Sequence, residues 1–477
     1  MSLGRQFFRA SLWSGGSMAL VRILTVLRLS VLAHLLLPEV FGVTALVVLV
    51  VSSLWTLSDI GINQAVIQRE ELSNQHIHTA WHLNWLRGLL LAGGCYLLAP
   101  LAANFFEHQE LVFLLQLAAL IPLLRGLESL GLVLMRREMN FKSLAIVDLV
   151  RELVNTVVAI TLVIYWQATA ESLVWALIVG TAMGVIASYF VHAYRPSCLF
   201  DRQAARDFWS FGGHLLGAGL LIFAMTNLDD VVIGKMVGME QLGYYAVAFT
   251  LAGVVTTQLV QLMNQVLFPA MSQLQQDQKR LASVLGRALR GVAGILTPVA
   301  CFIALFSDQV VFLLFGDKWM PAIPALQALL LVGWVRGIAS VFGPVLLARG
   351  LTAALHRMKW KEFAVFAITI IPAVHYMGIV GAAVVLLLVY LLSLIFHVLL
   401  TLSELPDCED FIFRQLIRGA LPGFSAFLLV WFMMQVISWP SVLLGCLFVM
   451  FWSGLVYLRE RRFILQFWAM RRSGGEI

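Results

Sequence analysis

Six arginines stand inside runs of apolar residues: Arg22, Arg28, Arg87, Arg125, Arg151 and Arg336. A charge held at membrane depth costs at least ~2.5–3.5 kcal/mol, so such a residue faces a cavity or a partner. Arg22 and Arg336 fall near the middle of their runs, and Arg28 nearer one end. A guanidinium grips a phosphate or pyrophosphate through two parallel hydrogen bonds, so these three are candidates for binding an anionic group. The other reading is an ion pair between helices. Two polar stripes accompany them. Ser52, Thr56, Asp59 and Asn63 are spaced four, three and four apart, which predicts one helix face. Thr257, Gln258, Gln261, Asn264 and Gln265 form the second. Amides and hydroxyls suit a sugar-binding wall and also serve as glue between helices. Thr56, Asp59, Asn63, Gln258, Gln261 and Gln265 are the substrate-binding candidates among them. Asp229 and Asp230 end an apolar run and are candidates for gating or ion coupling, with Arg28 as the expected counter-charge.

The remaining polar groups read as structural. Arg125, Glu128, Asp148, Arg151 and Glu152 mix signs at helical spacing and predict a network that satisfies itself. His214, His375 and His397 are isolated in apolar surroundings, where a histidine is more often a packing residue than a ligand. The five cysteines show no metal-ligand spacing. Cys95, Cys301 and Cys446 fall in apolar runs, Cys198 and Cys408 in polar breaks, so reduced thiols are expected and no metal or cofactor is implied.

The elements that position these residues follow from composition. The chain has 477 residues, 61% hydrophobic and 12% charged. A soluble domain is roughly 45–50% apolar and ~25% charged, and apolar runs of about 18 residues or more read as membrane helices. Fourteen runs qualify, at 12–36, 40–62, 80–103, 111–134, 143–165, 170–193, 208–233, 241–267, 288–313, 322–347, 360–376, 379–401, 415–436 and 441–458. The first contains Arg22 and Arg28 and reads as a span rather than a cleaved signal. No connecting loop exceeds about twenty residues, too few for a separate extramembrane domain. The ends, Met1–Ala10 and Arg459–Arg472, alternate Arg with Phe, Trp, Leu and Ile, which suits helices lying on an anionic surface or simple anchors.

With both termini in the cytoplasm, 24 of the 32 Lys and Arg fall on the cytoplasmic side, six within spans and two outside, Lys235 and Lys318. That is the asymmetry of a bacterial inner-membrane protein, and one missed span scrambles it. The net charge of +6 is dispersed through short loops and is no nucleic-acid footprint.

Residues 39–66 align without gaps to 240–267, with identities at Glu39/Glu240, Gly42/Gly243, Ala45/Ala246, Thr56/Thr257, Asn63/Asn264 and Gln64/Gln265. Six spans separate the copies, an even number, so both have the same orientation. The expected architecture is all-α: two six-helix lobes (1–206 and 207–403) related by an axis along the membrane normal, with a cavity between them, and two further helices with a basic tail (404–477).

Several segments carry a resemblance. Leu32-Ala33-His34-Leu35-Leu36-Leu37-Pro38-Glu39-Val40-Phe41-Gly42, Asp59-Ile60-Gly61-Ile62-Asn63-Gln64-Ala65-Val66-Ile67-Gln68 and Asn227-Leu228-Asp229-Asp230-Val231-Val232-Ile233-Gly234 are the main ones. Leu242-Gly243-Tyr244-Tyr245, Arg137-Glu138-Met139-Asn140-Phe141 and Leu314-Phe315-Gly316-Asp317-Lys318-Trp319 follow in order. Together they resemble the bacterial polysaccharide exporters of the multidrug/oligosaccharidyl-lipid/polysaccharide exporter superfamily (O-antigen, colanic-acid and teichuronic-acid type). His34 departs from the arginine usual there. The resemblance implies a flippase that carries undecaprenyl-pyrophosphate-linked oligosaccharide from the cytoplasmic to the periplasmic leaflet by alternating access. Such a protein serves lipopolysaccharide, capsule or exopolysaccharide synthesis. The implied partners are the lipid-linked glycan, membrane lipids, a coupling proton or sodium ion, and other polysaccharide-assembly membrane proteins. Two rivals fit the same helices less well. A polysaccharide polymerase or ligase needs catalytic groups on a sizeable external segment. A multidrug cation antiporter of the same fold needs acids at mid-membrane, where this chain has arginines.

Overall fold

The computed structural model describes the backbone of residues 3–69, 72–138, 140–274, 276–406, 408–436 and 440–472. Side chains are described over the same range except at 3–14, 209–220, 222, 255, 257–266, 268–270, 273, 442 and 459–472. Gln258, Gln261 and Gln265, with the rest of the second polar stripe and His214, lie outside the described side chains.

The described residues form helices and no strand. In chain order they are α1 (Leu3–Leu35), α2 (Pro38–Leu57), α3 (Ile62–Gln68), α4 (Asn74–Phe106), α5 (Glu110–Ala118), α6 (Leu120–Gly126), α7 (Gly131–Arg137), α8 (Phe141–Tyr165), α9 (Ala170–Val191), α10 (Arg202–Met236), α11 (Met239–Gln273), α12 (Gln278–Leu305), α13 (Ser307–Phe315), α14 (Ile323–Ala348), α15 (Thr352–Glu404), α16 (Glu409–Val436) and α17 (Ser441–Arg472), with a 3₁₀ turn at Asp317–Ala322 before α14. Among them eight helices, and one bent group, are long and apolar enough to cross a membrane. Each expected span coincides with a helix, a bent group or one arm of a hairpin, because only a helix satisfies every backbone polar group inside lipid. The terminal Arg-rich stretches are continuations of α1 and α17 rather than separate elements.

Three expected boundaries are corrected. The second span ends at Leu57, because Gly61 takes φ +67 and Asp59 Oδ1 accepts the Gly61 N–H at 3.0 Å, an Asx turn that stops one helix and starts α3. The fourth is broken into α5, α6 and α7 with a 55° bend. The ninth closes at Leu305, and α13 follows. The eleventh and twelfth spans are the arms of α15, which reverses at Gly378 (φ +57).

The chain divides into two compact units that interleave along the sequence. Unit 1 comprises Met1–Leu251, Leu314–Ala322 and Phe363–Val385. Its helices approach through small residues, the usual device where lipid gives apolar side chains no reason to leave it. A Cβ on Gly42 would lie 1.8 Å from the Met239 carbonyl oxygen, and one on Gly243 would lie 1.9 Å from that of Pro38. The two glycines are repeat mates and their contacts are mates as well, so α2 and α11 meet in a locally two-fold manner. Unit 2 comprises Ala252–Leu313, Ile323–Glu362 and Leu386–Ile477, around a leucine-rich core shared by α12, α14, the second arm of α15 and α16.

Candidate functional site

A cavity with a partly polar lining lies in unit 1, between α1, α2, α8, α9 and the first part of α11. Its volume is about 190 Å³, and Thr25, Arg28, Thr44, Asn155 and Thr250 supply its polar lining. Arg28 Nη1 is 3.1 Å from Glu152 Oε1, and both side chains are mostly buried. The Thr25 hydroxyl lies 2.9 Å from the same carboxylate oxygen and 2.9 Å from the Val21 carbonyl, and its single proton serves one of these acceptors at a time. The ion pair is not aligned as a hydrogen bond: Arg28 Nη1 is buried without a hydrogen-bond acceptor among the described residues. A buried guanidinium nitrogen without an acceptor is costly, and an anion in the cavity would satisfy it.

This pairing corrects two expectations. Arg28 is not held by Asp229 or Asp230. Glu152 also leaves the network in which its spacing had placed it. What remains there is Arg151, in contact with Glu128 and 3.7 Å from Asp148. Arg125 also lies over the Trp55 ring at 5.7 Å, on which Arg87 stacks at 4.5 Å. Neither Glu152 nor Asn155 was singled out as a site residue. Asn155 lies four residues after Arg151 and three after Glu152, a local spacing that holds no sign of α1, whose Arg28 is 124 residues before Glu152.

Arg22, on the same α1, is half-buried and has no acid partner among the described residues. Arg336 lies in unit 2 on α14, where its guanidinium sits over the Tyr390 ring at 5.6 Å. The first polar stripe is dismantled by the break after Leu57. Ser52 bonds back to the Leu49 carbonyl at 3.0 Å, and the Thr56 carbonyl accepts from the Asp59 N–H at 3.2 Å. Asp59 lies 3.5 Å from Arg87 Nη1. Asn63 accepts from Asn84 at 3.1 Å. Thr56 therefore does not continue on one helix with Asp59 and Asn63, and the two latter each contact a residue of α4.

Asp229, on α10, is buried and accepts from the Tyr245 hydroxyl at 2.7 Å, while its Oδ1 has no partner among the described residues. Asp230 follows it, partly buried.

At the far end of α1 the segment 314–322 folds over the helix terminus. Lys318 Nζ donates to the His34 and Leu36 carbonyls at 3.1 and 2.6 Å. Trp319 Nε1 donates to the Ala33 carbonyl at 3.0 Å, and Ser30 donates to the Leu314 carbonyl at 2.6 Å. Trp319 is fully buried, edge-on to Phe41 and Tyr244. A cation on the last carbonyls of a helix complements its dipole. Lys235 Nζ bonds Glu107 at 2.6 Å, which holds that carboxyl below its usual range. Glu107 is the one described non-glycine residue with positive φ, +58. Both lysines that the charge count leaves on the external side therefore tie elements distant in sequence.

A helical chain of this length with guanidinium groups at membrane depth is a polytopic membrane protein with a polar interior. The chain belongs to the polysaccharide biosynthesis protein family, whose model matches residues 31–324. It is 25% identical over 402 residues to the lipopolysaccharide biosynthesis protein WzxC of Escherichia coli (strain K12), covering 84% of this chain and 81% of that one. With the succinoglycan biosynthesis transport protein ExoT of Rhizobium meliloti (strain 1021) it shares 27% over 359 residues, 74% of this chain and 71% of that one. Among solved structures, the lipid II flippase MurJ in an inward closed conformation superposes with a TM-score of 0.77 at 12% identity, over 96% of this chain and 99% of that one. An outward-facing multidrug resistance MATE transporter gives a TM-score of 0.57 at 16% identity, over 86% and 99%. These superpositions establish the fold.

Proposed function

We propose that this chain is a flippase that moves undecaprenyl-pyrophosphate-linked oligosaccharide from the cytoplasmic to the periplasmic leaflet of the bacterial inner membrane, by alternating access between the two lobes 1–206 and 207–403. The observation that carries the reading is the cavity beside α1. Arg28 Nη1 lacks a hydrogen-bond acceptor there, Arg22 has no acid partner among the described residues, and Asn155 adds an amide to the lining. Cationic groups at this depth favour an anionic head group over a drug cation. A cavity of about 190 Å³ admits a phosphate-sized group and not a whole oligosaccharide, so the glycan needs the wider opening of another state. The relatives named for lipopolysaccharide biosynthesis and succinoglycan transport support the glycan class. MurJ, named as a lipid II flippase, supports the manner of handling. Arg336, Gln258, Gln261 and Gln265 remain substrate-contact candidates, and Asp229 with Asp230 the gate. The termini are cytoplasmic in this reading, and the protein is a transporter rather than an enzyme.

The test is reconstitution. Purified protein in liposomes moves labelled lipid-linked oligosaccharide between leaflets and neither forms nor cleaves glycosidic bonds. Chain extension by the protein alone, or no movement of any lipid-linked glycan, overturns the reading.

A further inference from the structure

The arms of α15 run antiparallel from Gly378, as the approach of Lys361 Nζ to the Phe396 ring at 5.6 Å requires. Deep in this hairpin, inside unit 2, a carboxylate and an imidazole are buried together. Glu362 is 1% exposed and His397 8%. The antiparallel pairing that sets Lys361 over Phe396 also brings Glu362 and His397, the next residue on each arm, to the same level of the hairpin, so the expectation that His397 is isolated is corrected. Glu362 Oε2 accepts from Lys359 Nζ at 2.6 Å, while its Oε1 is buried without a partner among the described residues. His397 Nδ1 lies 2.8 Å from the Ser393 carbonyl oxygen, an acceptor, so Nδ1 carries the proton and Nε2 of the neutral ring is a lone pair. Thr401, one turn further along the same face and fully buried, also has an unpartnered hydroxyl oxygen. The interior thus holds a carboxylate oxygen and a hydroxyl that are both buried without a partner among the described residues, an arrangement that costs free energy as it stands.

We propose that His397, set against the Glu362–Lys359 pair, binds the proton whose uptake and release drives this transporter; what the proton drives rests on the flippase reading above. The step is protonation alone. A proton from water joins the Nε2 lone pair, no other bond changes, and the imidazolium supplies a donor beside the Glu362 carboxylate. The neutral cluster becomes singly positive. A metal ion is a poor occupant, because the Lys359 ammonium already sits on the carboxylate and no group of three His, Cys, Asp or Glu is set to hold one among the described residues. Imidazole is also the side chain whose ordinary titration falls near neutral pH, where a cycle must both load and unload. Lys359 is partly exposed, so the cluster reaches the protein surface.

The charged groups around His397 are few. Lys359 and Glu362 lie at its level on the first arm. Along its own arm Glu404 is engaged at 3.0 Å by Arg349, in the turn after α14, Phe396 lies under Lys361, and Tyr390 lies under Arg336 of α14. The face carrying Leu394, Val398 and Leu402 meets the leucine-rich core of α12 and α14.

The experiment uses the full chain in lipid nanodiscs and reads the C2–H deuterium exchange of each histidine by mass spectrometry from about pH 5 to about pH 9, with no substrate present. His397 is expected to show a titration midpoint inside that window, and E362Q to move it down by about one pH unit or more through loss of the facing charge. In proteoliposomes, the glycan-transport rate of the wild type changes by up to about tenfold per pH unit on its falling limb, and H397N flattens that dependence at equal membrane content. Exchange at His397 that ignores pH, or a wild-type pH profile in H397N, overturns the proposal. If E362Q does not accumulate, the wild-type titration and H397N still decide. A titrating His397 in a protein that moves no lipid-linked glycan upholds the proton site and removes the flippase reading instead.

Discussion

Arg22 and Arg28 share a helix, yet the environment gives them different work. Arg28 has Glu152, 124 residues later in the chain, within 3.1 Å, whereas Arg22 has no acid partner among the described residues. Removing one member of a mostly buried pair leaves the other uncompensated, at about 3–5 kcal/mol. Glu152→Ala is therefore expected to lower the amount of protein in the membrane, seen by quantitative immunoblot, and Glu152→Gln to lower it less, because the amide still accepts from Thr25. Arg22→Ala carries no such penalty. It is expected to leave membrane content unchanged and to abolish glycan export in a complemented deletion strain, while Arg22→Lys keeps part of it, having the charge without the planar fork. Normal export per molecule by Arg22→Ala would show that the substrate does not use this cation. That Arg22 lies within the apolar run of α1 was readable in the chain, since position in the run and charge are local properties. The pairing of Arg28 was not, because several acids lie at suitable depth and only the packing of α8 on α1 selects one.

At the scale of elements, the apolar runs announce helices by composition, and the helices are there. The interruptions are less visible. Ser58 to Gly61 is a short polar break between two apolar stretches, so a count of hydrophobic residues runs through it, although Asp-x-Gly is a turn signal in its own right. Reading that signal would have separated Asp59 and Asn63 from Thr56. The docking of 314–322 on the end of α1 has a consequence for opening. Lys318 holds two terminal carbonyls and Trp319 a third. Hydrogen bonds to a charged group are worth roughly 1.5–3 kcal/mol each, enough to shift a two-state balance tenfold or more. Lys318→Ala combined with Trp319→Ala is expected to raise labelling of Thr44→Cys by a membrane-impermeant maleimide added from outside, in a background without the native cysteines. Unchanged labelling would make the segment a passive cap. Acidification is a poor way to release the neighbouring Glu107–Lys235 contact. The Glu107 carboxyl titrates below its usual range, so the contact persists above that range and is lost only as pH falls through it, far from neutrality.

The whole molecule was the most legible level for one physical reason: the bilayer constrains every span at once, through length, apolarity and the side on which cations gather. The repeat adds a check that composition lacks, since Gly42 and Gly243 meet reciprocal backbone atoms through α2 and α11. The two compact units, by contrast, interleave along the chain, and nothing in a linear reading announces that segments 314–322 and 363–385 join α1 through α10. Orientation remains the property on which every functional statement about sides depends. With 24 basic residues on one side and two on the other, topology reporters fused after Gln109, Ala168 and Met377 are expected to read external, and those after Asn140, Asp277 and Glu404 internal. These six positions sample the polar breaks on both sides, so an error in any single span inverts all fusions beyond it rather than one. The pattern of inversion would locate the error. A consistent reversal from the first fusion onward would instead place the Lys318 and Lys235 contacts in the cytoplasm and the proton-binding hairpin's charged end outside, and would reverse the direction of transport proposed for the cavity beside α1.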